Sequence, residues 1–348
     1  MCALLLPGCA SIGPPTVVRD RFDYVSALSE SSKRQMLDNL LKVRYGEAPV
    51  FMDVASVIGS YSLEGSLTGT GSYALPGGGY RSGDQIAAVE AKGTYTDKPT
   101  VTYQPLTGEK FARSLMAPIP LSGILLLLQS GYPADLVLRI CVNTINGLEN
   151  AYGGAGSPRA GSPKFHELML VLRQAQAAQA SGFRIRKMKG ADEVVLFVRP
   201  STPKTAVLTR KIRQLLRLNP TKREFRVIPA AYADNDAEIA IQSRSMLQVM
   251  VDFASYIEVP ATDIAEGRVY SPQRDAEQEE MFPPLVTVRQ GSSRPDDAFV
   301  AVQYRNQWFW IDDRDARSKL IFSVLILMFS LTETPQGQPA PVVTIPAR

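Results

Sequence analysis

The chain has 348 residues, of which 45% are apolar and 21% charged, and 38 Lys and Arg against 34 Asp and Glu give a formal net charge of +4. This length is enough for a sizeable core and for two or three domains. The small net charge argues against a dedicated nucleic-acid-binding protein. One His and three Cys exclude a zinc site built from His and Cys, and they exclude a disulfide framework. We therefore expect no metal and no cofactor, and we identify no catalytic residue.

The N-terminus carries a short apolar stretch that ends in Leu6-Pro7-Gly8-Cys9. These four residues resemble the lipobox of bacterial lipoproteins, in which the chain is cut before the Cys and the new N-terminus is acylated. The resemblance implies a truncated signal at residues 1–9, a lipid on Cys9 and a tether at residues 10–30. Ala10 after the Cys implies the outer membrane. The alternative is that Cys9 belongs to an apolar N-terminal tail.

After a helical pattern at residues 31–45, the apolar residues alternate with polar ones, which is typical of strands. Odd positions from Val57 to Leu75 are apolar, aromatic or Gly, and even positions 60–72 are Ser, Thr or Glu. A second alternating run follows a Gly-rich segment, so we predict one long projecting β-hairpin over residues 57–103. The residues on its apolar face would be Val57, Tyr61, Leu63, Leu67, Tyr73, Val89 and Tyr95.

The hairpin allows three interpretations. Each strand could supply the roughly 9 to 11 residues of a tilted transmembrane strand, and a small barrel of about eight strands would need about four copies. In this respect the hairpin resembles those of oligomeric lipoprotein pores such as the curli secretion channel. Alternatively, it packs on one side of a soluble sheet, or it forms a periplasmic arm that binds a neighbour.

The residues after the hairpin predict helices at 108–116, 121–129 and 134–148. The Gly-, Ser- and Pro-rich residues 153–163 predict a linker between a helical domain (31–152, with the hairpin) and an α+β domain (164–334). Strands and helices alternate irregularly beyond the linker, and a Pro-rich tail (335–348) is predicted to be disordered. The fold class is therefore α+β: a helical N-terminal half with the hairpin, then a mixed α/β C-terminal half.

The segment from Ser181 to Arg226 is strongly basic, with 13 Lys and Arg against three acidic residues. Arg210, Arg213 and Arg217 share one helical face at spacings i, i+3 and i+7. Together with Arg184 and Arg186 they predict a surface that binds anionic lipid head groups or an acidic partner. A solvated basic face without a ligand is the alternative.

The strongest apolar run, Leu320–Leu331, has 12 residues and is too short to span a bilayer as a helix. It predicts a buried helix. We expect Asp312, Asp313 and Asp315, which precede this helix, to cap its N-terminus; the alternative is a metal site. His166 is predicted to be a packed or surface residue, and Cys141 a thiol of the core.

Residues 99–111 and 308–315 resemble segments of uncharacterised Gram-negative lipoproteins that have no assigned activity. We expect a non-enzymatic lipoprotein of the outer membrane that lies mainly in the periplasm. Its partners would be the membrane, through the lipid on Cys9, and further copies or an envelope protein, with no nucleic acid. Its role would be structural assembly; the alternatives are a subunit of an oligomeric secretion pore and a periplasmic hydrolase or binding protein with an unlocated carboxylate site.

Overall fold

A computed structural model describes residues 14–58, 61–70, 88–97, 100–154, 158–187, 192–270 and 276–332 of the chain. These residues form ten helices and thirteen strands, so the predicted α+β class is confirmed, with a helical N-terminal part and sheets in the C-terminal half. The chain divides into two compact units. One comprises the residues up to Ser29 together with Met52–Leu106, and the other comprises Glu30–Phe51 and the residues from Thr107 onward.

The first unit contains two two-stranded sheets. Its strands are β1 (Phe51–Ile58), β2 (Tyr61–Thr70), β3 (Ala88–Asp97) and β4 (Thr100–Leu106), where β1 pairs with β4 and β2 pairs with β3. The β2–β3 pairing is antiparallel and runs from Tyr61 opposite Asp97 to Thr70 opposite Ala88. We call these four strands the β-ribbon. Its projection from the rest of the molecule stays a prediction, and Tyr73 lies outside the described residues.

The predicted tether at residues 10–30 is wrong from Pro14 onward, where the first helix begins. Helix α1 (Pro14–Arg44) begins with two prolines, which fit the first turn because their missing N–H groups have no intrahelical acceptor there. The N-terminal half of this helix carries exposed apolar side chains, whereas Met36 and Leu37 in its C-terminal half are buried. The helix therefore extends some 17 residues further toward the N-terminus than the predicted one (31 − 14 = 17).

The second unit contains the remaining nine helices of the described chain. They are α2 (Gly108–Met116), α3 (Leu121–Gln129), α4 (Ala134–Cys141), α5 (Pro163–Ala177), α6 (Pro203–Leu216), α7 (Met246–Ala254), α8 (Ala261–Ala265), α9 (Ala276–Met281) and α10 (Ala316–Thr332). Helices α2 and α3 match the predicted bounds. The predicted helix at 134–148 is wrong after Cys141, because Val142–Ile145 forms a strand whose partner lies about 100 residues further along the chain.

A six-stranded sheet forms the centre of the second unit. Its strands are β5 (Val142–Ile145), β6 (Leu148–Glu149), β7 (Ser181–Lys187), β8 (Asp192–Val198), β9 (Glu224–Ile228) and β10 (Glu238–Ser243), in the order β6-β5-β10-β9-β8-β7. Only the β9–β10 pair is parallel. Strand β10, which the sequence analysis did not predict, occupies an interior position between β5 and β9.

The sheet shows that the predicted domain boundary at residues 153–163 is wrong. Strands β5 and β6 precede this segment and β7–β10 follow it, yet all six belong to one sheet. The backbone N–H of Gly153 donates to Asp252 Oδ1 at 2.6 Å, and that of Gly161 donates to Gln278 Oε1 at 2.9 Å. The described residues of the segment are therefore fixed to the second unit by hydrogen bonds.

The described part of the chain ends with a small sheet and a helix that is buried on one face. Strands β11 (Arg289–Gly291), β12 (Ala298–Tyr304) and β13 (Gln307–Asp312) pair antiparallel in the order β11-β13-β12. Helix α10 follows, with Phe322 and Leu325 completely buried. No helix in the described part of the chain is long and apolar enough to span a membrane.

Candidate anion-binding cleft

Helix α6 presents the arginines that the sequence analysis selected. Thr202 caps its N-terminus through a capping box with Thr205, and Pro203 occupies the first helical position. Leu208, Ile212 and Leu216 are buried, at the i, i+4 spacing of one helical face. The charged residues Arg210 and Arg217 are exposed, whereas Thr205 and Thr209 are buried with the apolar face.

The structure brings Arg210, Arg213 and Arg217 together in one cleft of about 670 Å³. The wall of the cleft also contains apolar and uncharged polar residues: Pro200, Ala206, Thr209, Gln214, Leu218 and Pro220. Three guanidinium groups beside apolar surface form a site suited to an anionic group attached to an apolar body, because the guanidinium fork matches carboxylate and phosphate geometry.

Arg213 is the most enclosed of the three arginines. Its Nη2 donates to the carbonyl oxygen of Lys222 at 3.0 Å, while its Nε is buried and has no hydrogen-bond partner among the described residues. Burial and the nearby positive charge of Arg223 lower the pKa of Arg213 below its ordinary value. The side chain thus retains a buried donor that the described protein atoms leave unsatisfied, which is costly unless another group accepts it.

Arg217 ends helix α6 in the left-handed conformation, with φ of 54° and ψ of 41°. It lines a second cleft of about 460 Å³ as well as the first, and so does Gln214. We call the two together the double cleft. The second cleft adds Lys164 from α5 and Lys211 from α6.

The double cleft has a positive charge balance. Lys211 pairs with Glu167, its carboxylate partner in the wall, at 2.7 Å. The other four cations of the wall, Lys164, Arg210, Arg213 and Arg217, form no ion pair with any described residue. Part of this charge is balanced by the negative end of the α6 dipole, near which Arg213 and Arg217 lie.

Arg184 and Arg186, which the sequence analysis grouped with the α6 arginines, do not line the double cleft. They lie on β7, where both pair with Glu224 of β9, and Arg186 lies 3.7 Å from Glu193 of β8. Arg226 extends the network to Glu193 and Glu238. Strand pairing thus places three glutamates beside these three arginines, and Arg184 and Arg186 lie outside the cleft that holds the α6 arginines.

The remaining candidates have structural roles. Cys141 is fully buried at the end of α4, and burial raises the pKa of its thiol to about 12. His166 packs its ring edge-to-face on Phe282 at 5.6 Å, and burial, with the charge of Arg139, lowers its pKa. Asp315 caps α10 by accepting a hydrogen bond from the backbone N–H of Ser318 at 3.0 Å.

No group of three or more potential metal ligands occurs among the described residues. Asp312 lies 3.6 Å from Arg289, and Asp313 pairs with Lys319 at 2.7 Å, so the three aspartates are separately engaged. Cys9 lies outside the described residues.

Lys164 and Lys211 belong to the site, although the sequence pattern did not predict them as members. Lys211 is adjacent to the selected arginines in sequence, but it faces Glu167 of the neighbouring helix. Lys164 comes from α5, about 50 residues earlier in the chain, and nothing in its local sequence signals the contact.

Comparison of the chain with protein-family models, with curated proteins and with solved structures finds no match. The interpretation of the site therefore depends on its geometry and charge.

Proposed function

We propose that the protein is a lipid-anchored lipoprotein of the outer membrane that assembles with further copies of itself through the β-ribbon. The observation that carries this proposal is the pairing of the ribbon. Strands β2 and β3 each have only one neighbouring strand in the described structure, so the opposite edge of each carries backbone groups that no other described strand satisfies. A two-stranded ribbon is marginally stable by itself, and edge pairing with a second copy would complete it.

The N-terminal part of α1, which belongs to the same unit as the ribbon, supports the proposal. Val18, Phe22 and Val25 follow one another at helical spacing and are 60%, 70% and 58% exposed. Exposed apolar residues in such a row are typical of a surface that associates with another protein or with lipid. The same unit therefore offers two surfaces that lack a partner within the described chain.

The lipid anchor is the second part of the proposal, and the Leu6–Cys9 sequence supports it. Several acyl chains would hold the protein on a membrane firmly, since each buried methylene contributes about 0.8 kcal/mol. The anchor would also concentrate copies on one surface, which favours self-association.

Charged substitutions in β2 test the assembly. The β2–β3 register pairs odd-numbered with odd-numbered residues, so Leu63 lies opposite Tyr95 and Leu67 opposite Ala91. Edge-to-edge pairing of two copies would also join their odd-numbered, largely apolar positions into one wider face that the assembly buries. We therefore expect the double variant Leu63→Arg/Leu67→Arg to run as a monomer in mild detergent, where the parent runs as a larger species. The matched control, Ser62→Arg/Thr68→Arg, carries the same two charges in the same strand but at even-numbered positions, which belong to the other face. This variant should keep the larger species. A monomeric parent, or equal effects of both pairs, would refute the proposal.

Substitution of the proposed lipidation site tests the anchor independently. Expressed behind a complete signal, the parent should fractionate with membranes, and Cys9→Ser should release it or block its processing. Identical fractionation and gel mobility of the two proteins would show that Cys9 carries no lipid. Cys141→Ser is the matched control, because this thiol is buried in the core.

A further inference from the structure

We propose that the double cleft is a binding site for a phosphate ester that carries at least two negative charges and an apolar portion. This inference is independent of the assembly function and of the lipid anchor. Its basis is the convergence of Arg210, Arg213 and Arg217 on one cleft, with Lys164 in the adjoining one.

The charge of the site favours a ligand with more than one negative charge. Four cations of the wall lack a carboxylate partner among the described residues, whereas Arg184, Arg186 and Arg226 outside it are each paired with Glu. Glutamates thus neutralise the arginines of the sheet, whereas four cations of the double-cleft wall keep their charge unneutralised. Like charges held close together repel each other, and a bound anion would remove this repulsion.

The type of cation favours phosphate. Three of the four are arginines, whose planar fork binds phosphate oxygens through two parallel hydrogen bonds. Arg213 lies between the other two arginines on the same helical face and lines the same cleft.

The shape of the site favours an organic phosphate over a bare ion. The first cleft, of about 670 Å³, is far larger than a phosphate ion, and Pro200, Ala206, Leu218 and Pro220 form its apolar surface. Clefts of roughly 300 to 1,000 Å³ are typical of small-molecule sites. The phosphate could belong to a soluble ester or to the head group of an anionic phospholipid, and the two sources are separable by experiment.

The experiment uses the full chain with Cys9→Ser, so that no anchor contributes to membrane binding. Phenyl phosphate, a phosphomonoester with an apolar ring, is titrated by calorimetry and probes a soluble phosphate ester. Co-sedimentation with vesicles of phosphatidic acid and phosphatidylcholine, compared with pure phosphatidylcholine, probes the lipid head group, because the phosphomonoester of phosphatidic acid can carry two negative charges. We expect saturable binding to at least one of the two probes at moderate ionic strength.

The test variant is Arg210→Gln/Arg217→Gly. Gly is well suited to the left-handed conformation of residue 217, so this variant should fold as stably as the parent. We expect binding at least tenfold weaker than that of the parent, since two charged hydrogen-bond donors are lost. The matched control, Arg184→Gln/Arg186→Gln, loses the same net charge outside the cleft and should bind within about twofold of the parent.

Phenyl phosphate binding that the test variant loses would identify a soluble phosphate ester as the ligand, and vesicle binding that it loses would identify a lipid head group. If neither probe binds, or if test and control variants weaken binding equally, the proposed site is wrong. A thermal unfolding midpoint of the test variant close to that of the parent verifies that the loss is local.

Discussion

Arg244 is the largest fully buried side chain of the described structure. Its hydrogen bonds help to fix the segment that the sequence pattern predicted to be a linker. Its Nη1 donates to Asp252 Oδ2 at 2.9 Å, and Asp252 Oδ1 in turn accepts from the backbone N–H of Gly153. The remaining donors of Arg244 reach Asn143 Oδ1 and the carbonyl oxygens of Arg139, Ile140 and Ala151. One guanidinium group therefore joins the end of α4, the start of β5 and the segment after β6.

Removing this guanidinium group should be strongly destabilising. In Arg244→Met, Asp252 would remain buried without its cation, and we expect the free energy of unfolding to fall by about 3–5 kcal/mol. Urea denaturation measures the change. The control Arg314→Met breaks the exposed pair with Asp297 and should cost less than about 1 kcal/mol. Equal costs for the two variants would show that the buried pair contributes no more than a surface pair.

Asp315 provides a prediction with a pH dependence. Partial burial raises its pKa, but the hydrogen bonds from Ser318 and the charge of Arg317 outweigh this and hold the pKa below the ordinary value of 3.8. A carboxylate with a lowered pKa in the folded state contributes stability above its ordinary pKa, and this contribution is lost as the pH falls through the folded-state value.

We therefore expect Asp315→Ala to cost about 1 kcal/mol at pH 7 and progressively less below about pH 4. Thermal unfolding between pH 2.5 and 7 measures this difference. Asp313→Ala, which removes an exposed carboxylate from the same turn, serves as the control and should change stability by less than about 0.5 kcal/mol. A cost for Asp315→Ala that is independent of pH would contradict the capping role of the ionised carboxylate.

At the scale of elements, α1 has a buried half and an exposed half. Leu37 and Leu40 are at most 1% exposed, and Asn39 lies between them with both amide atoms hydrogen-bonded to the backbone of Val50. The row of Val18, Phe22 and Val25 makes no comparable contacts, as its exposure shows. The two halves should therefore respond differently to the same substitution.

Truncation of a side chain distinguishes the two halves. Leu37→Ala should lower the free energy of unfolding by about 2–5 kcal/mol, because it leaves a cavity in the core. Phe22→Ala should leave the stability of the monomer unchanged within about 0.5 kcal/mol, although it removes the larger side chain. Denaturant unfolding of the dilute, unlipidated protein measures both values. A cost above about 1 kcal/mol for Phe22→Ala would mean that this row is covered within the monomer.

At the scale of the whole molecule, the six-stranded sheet makes residues 107–332 one structural unit. A specific protease site placed at residues 155–157 should therefore be cleaved without separating the two pieces. We expect the cleaved protein to elute as one species from a sizing column and to separate only in denaturant. Separation under native conditions would restore the boundary that the sequence pattern predicted.

The sequence by itself determined the features that depend on residues a few positions apart. Helices α2 and α3, the Asp315 cap and the common face of Arg210, Arg213 and Arg217 all follow from periodicity, caps and breakers. The burial of α10 follows from its length and its apolar composition.

The tertiary structure alone decided the features that depend on distant partners. Arg186 and Glu224 are 38 residues apart, and Arg244 and Asn143 are 101 residues apart. Pairing over such distances neutralised part of the basic segment, ended α4 at Cys141 and placed β10 inside the sheet. Local patterns carry no information about these pairings, because the free energy that selects them comes from packing and hydrogen bonds between segments that meet only in the folded chain.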